Sequence, residues 1–366
     1  MLAQTLSAET PRWPAAVVTA LPDLTALGGS LRRLTGFDHH GSTDYFPSIS
    51  QAHLHAIGLA QARIARCAAI NRQRLVAYTS DMAHGSVAVA FELAGYDSAA
   101  LRQIATDGAG RLRCDLLQTA IRADREAGLE PFLICAAAGN SENGTIDALG
   151  RLAAIARDEG LWLHLDASYG ALARLAGDLA PLLAGMELAD TLAFDLYRWG
   201  LQPYATAILL GREITAPSAA APSSVDAGAQ LAIGLRALVQ WQQQAPAPAR
   251  LGRDISRCCA LARRLGMAVQ QQPALELLLP VTLNVVCLRY LGDQPDAINQ
   301  AIVALLQNSR FGISSCRVRR QQAIRVVVQD ASQTPEQIEH LVAALLAAGQ
   351  QQRRQRVAAS PRTLTA

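Results

Sequence analysis

The sequence predicts an α/β protein: an open, mostly parallel sheet covered by helices, followed by a smaller α+β domain. Three observations carry this reading. Short apolar runs alternate with amphipathic stretches through the middle of the chain, the pattern of βαβ units. Gly128 and Gly160 follow two of those stretches as helix stops. The segment Thr215–Ala229, TAPSAAAPSSVDAGA, then breaks the alternation with the composition of a flexible connection.

Taken in order, the strand candidates of the first part are Leu75–Thr79, Phe132–Ala137, Leu161–Leu165, Thr191–Asp195 and Thr206–Leu210. Two helices lie among them. Asp115–Ala127 carries Leu116, Leu117, Ala120 and Ile121 on one face, and Asp147–Asp158 carries Leu149, Leu152, Ala153 and Ile155. After the break, a long helical region is punctuated at Ala245–Pro248 and leads into strand-like runs at Leu283–Tyr290, Gly312–Arg317 and Ala323–Val328. A last helix has Thr334 as N-cap, Pro335 at its first position, and Ile338, Leu341, Val342, Leu345 and Leu346 as its apolar stripe. The expected division is a reduced N-terminal arm over 1–45, a large domain over 46–235, a small one over 236–349 and a disordered tail over 350–366.

Composition narrows the classes. Of 366 residues, 51% are hydrophobic and 17% charged, enough apolar material for a large core and too much for a disordered chain. No apolar run approaches the roughly 18 residues of a membrane span, and a net charge of +3 gives no nucleic-acid signature. The start, MLAQTLSAETPRWP, lacks a basic segment followed by an apolar one, so no secretory signal is expected. Seven cysteines without C-x-x-C spacing read as reduced thiols of a cytoplasmic protein. One count has direct chemical force: all 33 basic residues of the Lys plus Arg total are arginine, so no side chain here can form an imine with an aldehyde.

Four ordered segments resemble the pyridoxal-phosphate (PLP) dependent amino-acid decarboxylases of the aromatic-amino-acid and glutamate decarboxylase group. They are Thr79-Ser80-Asp81-Met82-Ala83-His84-Gly85-Ser86-Val87, Ala138-Gly139-Asn140-Ser141-Glu142-Asn143-Gly144, Leu161-Trp162-Leu163-His164-Leu165-Asp166-Ala167-Ser168-Tyr169-Gly170, and Ala189-Asp190-Thr191-Leu192-Ala193-Phe194-Asp195-Leu196-Tyr197-Arg198-Trp199. The resemblance implies the PLP-transferase fold, aspartate-aminotransferase-like, with PLP as cofactor and a homodimeric state. It implies that His84 stacks on the cofactor ring, Asp166 pairs with the pyridinium nitrogen and Ala167 lies beneath the ring. Ser50, Ser141 and Asp195 complete the expected cofactor-binding set. Independently, Asp166 falls just past an apolar strand, where open α/β sheets present ligand groups.

The departures from the family pattern lie at the chemistry. The family's lysine, in a His-Lys-Trp triplet, corresponds to Tyr197-Arg198-Trp199, and a guanidinium stays protonated and forms no ordinary imine. The family's phosphate loop, Ser-Gly-Gly-Thr-Glu-Ala-Asn, corresponds to Pro47-Ser48-Ile49-Ser50-Gln51-Ala52-His53; both glycines are gone, and Ile49 is expected to crowd the cradle beside Ser50. The segment near 215–235, where the family carries a catalytic tyrosine, has none.

Plainer readings stand beside these. Asp166 is also suited to capping the turn after its strand, and His84 to serving as a hydrogen-bonded core histidine. Arg198 is suited to pairing with Asp166, Asp195 or a bound anion. His39-His40 and His53/His55 suggest metal, but histidines two apart do not share a helix face and no Cys or carboxylate set completes a site, so none is expected. The favoured function is a non-catalytic decarboxylase homologue acting by binding an amino-acid-like molecule or as a partner subunit, in a homodimer or with an active relative. The alternative is an enzyme of this carbon–carbon lyase family that uses an imine-free route, with Tyr197 and Arg198 as its catalytic groups.

Overall fold

The apolar runs of the first half assemble into one seven-stranded sheet. The computed structural model describes residues 24–37, 41–66, 71–199, 206–212, 225–243, 247–309 and 311–359. The strands are β1 (Thr43–Phe46), β2 (Leu75–Ser80), β3 (Leu101–Ile104), β4 (Glu130–Ala137), β5 (Trp162–Asp166), β6 (Thr191–Asp195) and β7 (Ala207–Gly211), in spatial order β1-β7-β6-β5-β4-β2-β3. The pairs β2–β3, β2–β4, β4–β5 and β5–β6 are parallel, while β7 runs antiparallel to both β6 and β1. The expected strands are present. β1 and β3 were not anticipated, because TDYF and LRQI are too short and too polar to stand out by alternation.

Helices α1 (Leu24–Thr35), α2 (Ile49–Ala65), α3 (Gly85–Leu93), α4 (Cys114–Glu126) and α5 (Leu149–Asp158) accompany this sheet. The stretch read as an N-terminal arm thus supplies α1 and β1. Gly128 and Gly160 end α4 and α5 at φ of 76° and 68°, the left-handed geometry that a Cβ disfavours. Ser48 caps α2, its hydroxyl accepting from Gln51 N at 3.3 Å.

Two apolar clusters fix α2 and α3 to their strands. Ile49, Ala52 and Ala56 pack with Phe46, Ala193, Ala207 and Leu209. Ile57, Ala60, Val87, Ala90 and Phe91 pack with Leu75, Ala77, Leu133, Phe132 and Trp162. Phe91, Tyr96 and Phe132 stack within that second cluster, Phe91 and Tyr96 at 4.6 Å between centroids. Burying one such ring stabilises by about 1.5–3 kcal/mol. One polar group is built into the sheet as well. Tyr78, fully buried on β2, donates its hydroxyl to Asp124 Oδ2 at 2.9 Å, and Arg102 Nη2 donates to Asp124 Oδ1 at 2.9 Å.

The remaining strands, β8 (Leu275–Leu277), β9 (Val285–Tyr290), β10 (Gly312–Val318) and β11 (Gln321–Val327), form an antiparallel sheet in the order β10-β11-β9-β8. The helices after the first sheet are α6 (Val225–Gln243), α7 (Ala247–Gln270), α8 (Pro295–Leu306) and α9 (Pro335–Ala359). Thr334 and Gln337 cap α9 reciprocally: Gln337 N donates to Thr334 Oγ1 at 3.4 Å, and Thr334 N donates to Gln337 Oε1 at 3.0 Å. The expectation of a disordered tail from 350 is corrected. The helix runs to Ala359, since Gln, Arg and Ala favour helix and no Gly or Pro follows Gly349 until Pro361.

By its contacts the chain divides into two units. Met1–Asp107, Arg111–Asn140 and Ile146–Gly252 form the first; Gly108–Gly110, Ser141–Thr145 and Arg253–Ala366 form the second. The main boundary falls at Gly252, inside α7, whereas the sequence placed it at 235, after the Ala/Ser/Pro-rich break. No helix among the described residues is long and apolar enough to cross a membrane.

Candidate functional site

Strand alternation sets the site. On β5, Trp162, His164 and Asp166 share one face; on β6, Thr191, Ala193 and Asp195 do the same, in register with His164↔Thr191 and Asp166↔Ala193. Ala193 packs against α2, so α2 covers this face and brings His53 with it. Within the first unit Asp166 acts electrostatically on His53 and on Asp195, and His84 acts on His53.

Asp166 ends β5 and is 5% exposed. Its Oδ1 accepts from Ser168 N at 3.0 Å and from Ser168 Oγ at 2.6 Å, so it does cap the following turn. Its Oδ2 faces His53 Nε2 at 3.9 Å. Ala167 is fully buried, its N–H donating to Ala193 O at 2.8 Å. Gly170 follows, and a Cβ there would lie 1.9 Å from Ala138 O, so only glycine permits this crossing of the β4 and β5 ends.

Arg198 lies in the helical turn Tyr197–Trp199 just past β6. Its Nε stands 3.8 Å from Asp195 Oδ2, and its guanidinium lies 4.7 Å from the Tyr197 ring centroid and 5.9 Å from that of Tyr169. Asp195 is one of the partners left open by the sequence. Asp195 is 1% exposed with no hydrogen bond to Oδ1. Burial pushes its carboxyl up to about 7; Arg198 draws it down and Asp166 adds to the rise. Trp199 anchors the turn, donating Nε1–H to Tyr169 O at 3.0 Å.

His84 is the N-cap of α3: its Nδ1 accepts from Ser86 N at 3.2 Å and lies 2.6 Å from Ser86 Oγ. Ser50 sits half-buried in the first turn of α2. The expectation for Ile49 is corrected, because its side chain is buried in the cluster with Phe46 and Ala193 rather than projecting from the helix start. Its apolar branch gains more from that cluster than from solvent. Ser141 belongs to the second unit: its buried Oγ has no hydrogen-bond partner, and its carbonyl accepts from Arg325 Nη2 at 2.5 Å. The first unit therefore holds Ser50, His84, Asp166, Ala167, Asp195, Tyr197 and Arg198, and the second holds Ser141.

His53 and His55 make other contacts in the structure. His53 Nδ1 lies 2.8 Å from His164 Nε2, and His55 packs on the Phe46 ring at 5.4 Å between centroids. Among the described residues no three His, Cys, Asp or Glu side chains converge on a metal-sized site. His39 and His40 lie outside the described residues. His53, His164 and Thr191 are the site residues that sequence reasoning missed. The signal was present in the every-second-residue spacing Trp162, His164, Asp166.

Comparison with known proteins places this geometry in context. The family described as pyridoxal-dependent decarboxylase conserved domain matches residues 59–220. The chain is 27% identical to the aromatic-L-amino-acid decarboxylase of Bacillus atrophaeus over 335 residues, covering 84% of this chain and 69% of that protein. It is 30% identical to the Sus scrofa aromatic-L-amino-acid decarboxylase over 275 residues, covering 70% of this chain and 56% of that one. Over half, but under two thirds, of that mammalian relative is thus spanned. The fold matches the glutamate decarboxylase domain of a Vibrio parahaemolyticus diaminobutyrate-pyruvate transaminase and L-2,4-diaminobutyrate decarboxylase, with TM-score 0.78, 18% identity, and 94% of this chain and 75% of that one covered. It also matches Catharanthus roseus tryptophan decarboxylase in complex with L-tryptophan, with TM-score 0.76, 18% identity and coverage of 92% and 76%.

Proposed function

The chain belongs to the pyridoxal-dependent decarboxylase family, and we propose that it is a member that binds its ligand without catalysing decarboxylation. The observation that carries this reading is Arg198. It stands after β6 in the turn Tyr197–Trp199, where the family triplet places its lysine, and the chain contains no lysine to take over. A guanidinium with Asp195 beside it stays protonated and cannot condense with an aldehyde.

The residues present fit the ring of PLP but not its covalent attachment. Asp166 Oδ1 is fixed by Ser168, while the nearest donor to Oδ2 among the described residues is His53 Nε2 at 3.9 Å, which leaves it able to accept from a ring N–H. Ala167 leaves no side chain bulk at its position, and His84 is held by its cap on α3. When bound, PLP supplies an electron sink for carbon–carbon cleavage. The chain's own residues would hold and orient the ring, and Arg198 would neutralise an anionic group of an amino-acid-like ligand. Such a protein works in the cytoplasm through binding, as a homodimer or beside an active relative.

One observation favours a second reading, an imine-free lyase. The Asp195 carboxyl, pushed up to about 7, exchanges its proton at neutral pH and suits general acid–base work next to Tyr197 and Arg198.

The deciding experiment is borohydride reduction of the purified protein with PLP, followed by intact mass and peptide mapping. No pyridoxyl adduct on a side chain is expected, mapping separating any product of the N-terminal amine. A stoichiometric side-chain adduct overturns the first reading; carbon dioxide release from amino acids without such an adduct supports the second.

A further inference from the structure

A buried chain of side chains ends on Asp166. Trp162 Nε1 donates to Thr191 Oγ1 at 2.9 Å, and Thr191 Oγ1 lies 2.9 Å from His164 Nδ1. His164 Nε2 lies 2.8 Å from His53 Nδ1, and His53 Nε2 faces Asp166 Oδ2 at 3.9 Å. Thr191 and His164 are fully buried and His53 is 1% exposed, so water does not interrupt the chain.

The donor inventory gives this chain a direction. An indole N–H only donates, so Thr191 Oγ1 accepts at that end. The Thr191 hydroxyl proton is then available to the group beside it, His164 Nδ1, when that nitrogen is the acceptor. His164 in turn carries its proton on Nε2 and donates it to His53 Nδ1, which leaves the His53 proton on Nε2, facing the carboxylate. In the reverse order Thr191 Oγ1 accepts from both Trp162 and His164, and an imidazole lone pair is turned on the Asp166 carboxylate, which is the costlier arrangement. Both arrangements hold two neutral rings. Burial, in each case the largest cause, favours that form: with His84 it lowers His53 against the pull of Asp166, and with His53 it lowers His164 against a bond to the Thr191 backbone.

We propose that His53 is a positioning residue for Asp166, directing its Nε2–H at the free carboxylate oxygen, with its tautomer set by the Thr191 hydroxyl through His164. The inference rests on Asp166 as the ligand-holding group of the function proposed above. The other groups facing this pair are His84, which acts on His53, Asp195 with its neighbour Arg198, which lies within reach of Asp166, and the Cys135 thiol beside Asp166. Because Asp166 Oδ1 is already occupied by Ser168, Oδ2 is the oxygen a ligand can use, and His53 is what stands behind it.

Two-bond proton–nitrogen spectra of the full chain test this directly. His53 and His164 are both expected as neutral Nε2–H tautomers near neutral pH. Thr191→Val removes the hydroxyl with little change of shape. It is expected to give mixed tautomers at both rings and to raise the Asp166 carboxyl titration, because an N–H dipole no longer points steadily at the charged form. Thr191→Ser is expected to restore both. His53→Asn is expected to give the Asp166 shift without touching Thr191, which covers the case of a poorly folded valine variant. An Nδ1–H tautomer at His53 in the unaltered chain, or an Asp166 titration unmoved by His53→Asn, overturns the proposal. Equilibrium dialysis with PLP separates this from the functional reading. Failure of PLP to bind, with the tautomers and shifts as expected, counts against that reading while this inference stands.

Discussion

The Arg198 guanidinium faces the Asp195 carboxyl at 3.8 Å, Nε to Oδ2, three residues on from the end of β6. That separation is electrostatic contact rather than a hydrogen bond. Asp195 is therefore only partly relieved of the cost of burial and sits at about 7. Arg198→Ala is expected to push Asp195 higher still, since the arginine is the one group drawing it down. Carboxyl-region infrared spectra across pH check this. An unchanged or lower titration point shows that burial alone sets the value.

Rebuilding the family triplet with Tyr197→His and Arg198→Lys is expected to recover covalent capture of PLP but not decarboxylation. The new amine would stand beside Asp195, and the 215–235 segment still has no tyrosine. Positioned proton delivery is worth about 10²–10⁴ in rate. Carbon dioxide release from aromatic and acidic amino acids with excess PLP measures it. A rate normal for a working decarboxylase shows that Arg198 alone silences the site.

Acid sensitivity has opposing sources. His53 and His164 are held below the ordinary 6.5 by burial, so below that pH the unfolded chain binds protons that the native rings refuse and stability falls. Asp147 works the other way. Burial pushes it from 3.8 up to about 6 despite bonds from Ala137 N and Leu112 N, so its contribution is present at low pH and lost as pH rises through 6. On acidification from neutral to pH about 5, His53→Asn is expected to reduce the drop in thermal midpoint and Asp147→Asn to enlarge it. The same sign of change for both variants refutes this assignment.

Tyr78→Phe is expected to cost about 1–2 kcal/mol, read as a lower denaturant midpoint with an unchanged slope. The ring stays packed, while Asp124 keeps Arg102 but loses a 2.9 Å hydroxyl donor. A change below about 0.5 kcal/mol, within surface-substitution range, shows the hydroxyl to be dispensable.

Much of the fold was legible because strand and helix periods differ. Thr191–Asp195 matches β6 residue for residue, and Gly128 and Gly160 mark where α4 and α5 end. β1 and β3 escaped because four residues with polar members carry no readable period. In the site, Asp166 and Arg198 were readable from motif position, but the Asp195 partner was a matter of three-dimensional choice. His53 was weighed only as a metal ligand, because its partners lie 111 residues away at His164 and on β6 at Thr191. Ile49 was misjudged for a related reason: sequence shows that a side chain is present, and packing decides which way it turns.

The crossing at Gly170 has a consequence for how this protein can drift. A methyl group there has no room, because Ala138 O already occupies the space 1.9 Å from where it would sit. Any side chain at 170 has to displace the backbone at Ala138, whereas the head group at 198 lies in a turn beyond the sheet. Heritable change is thereby channelled towards the groups at the strand ends and away from the frame that displays them.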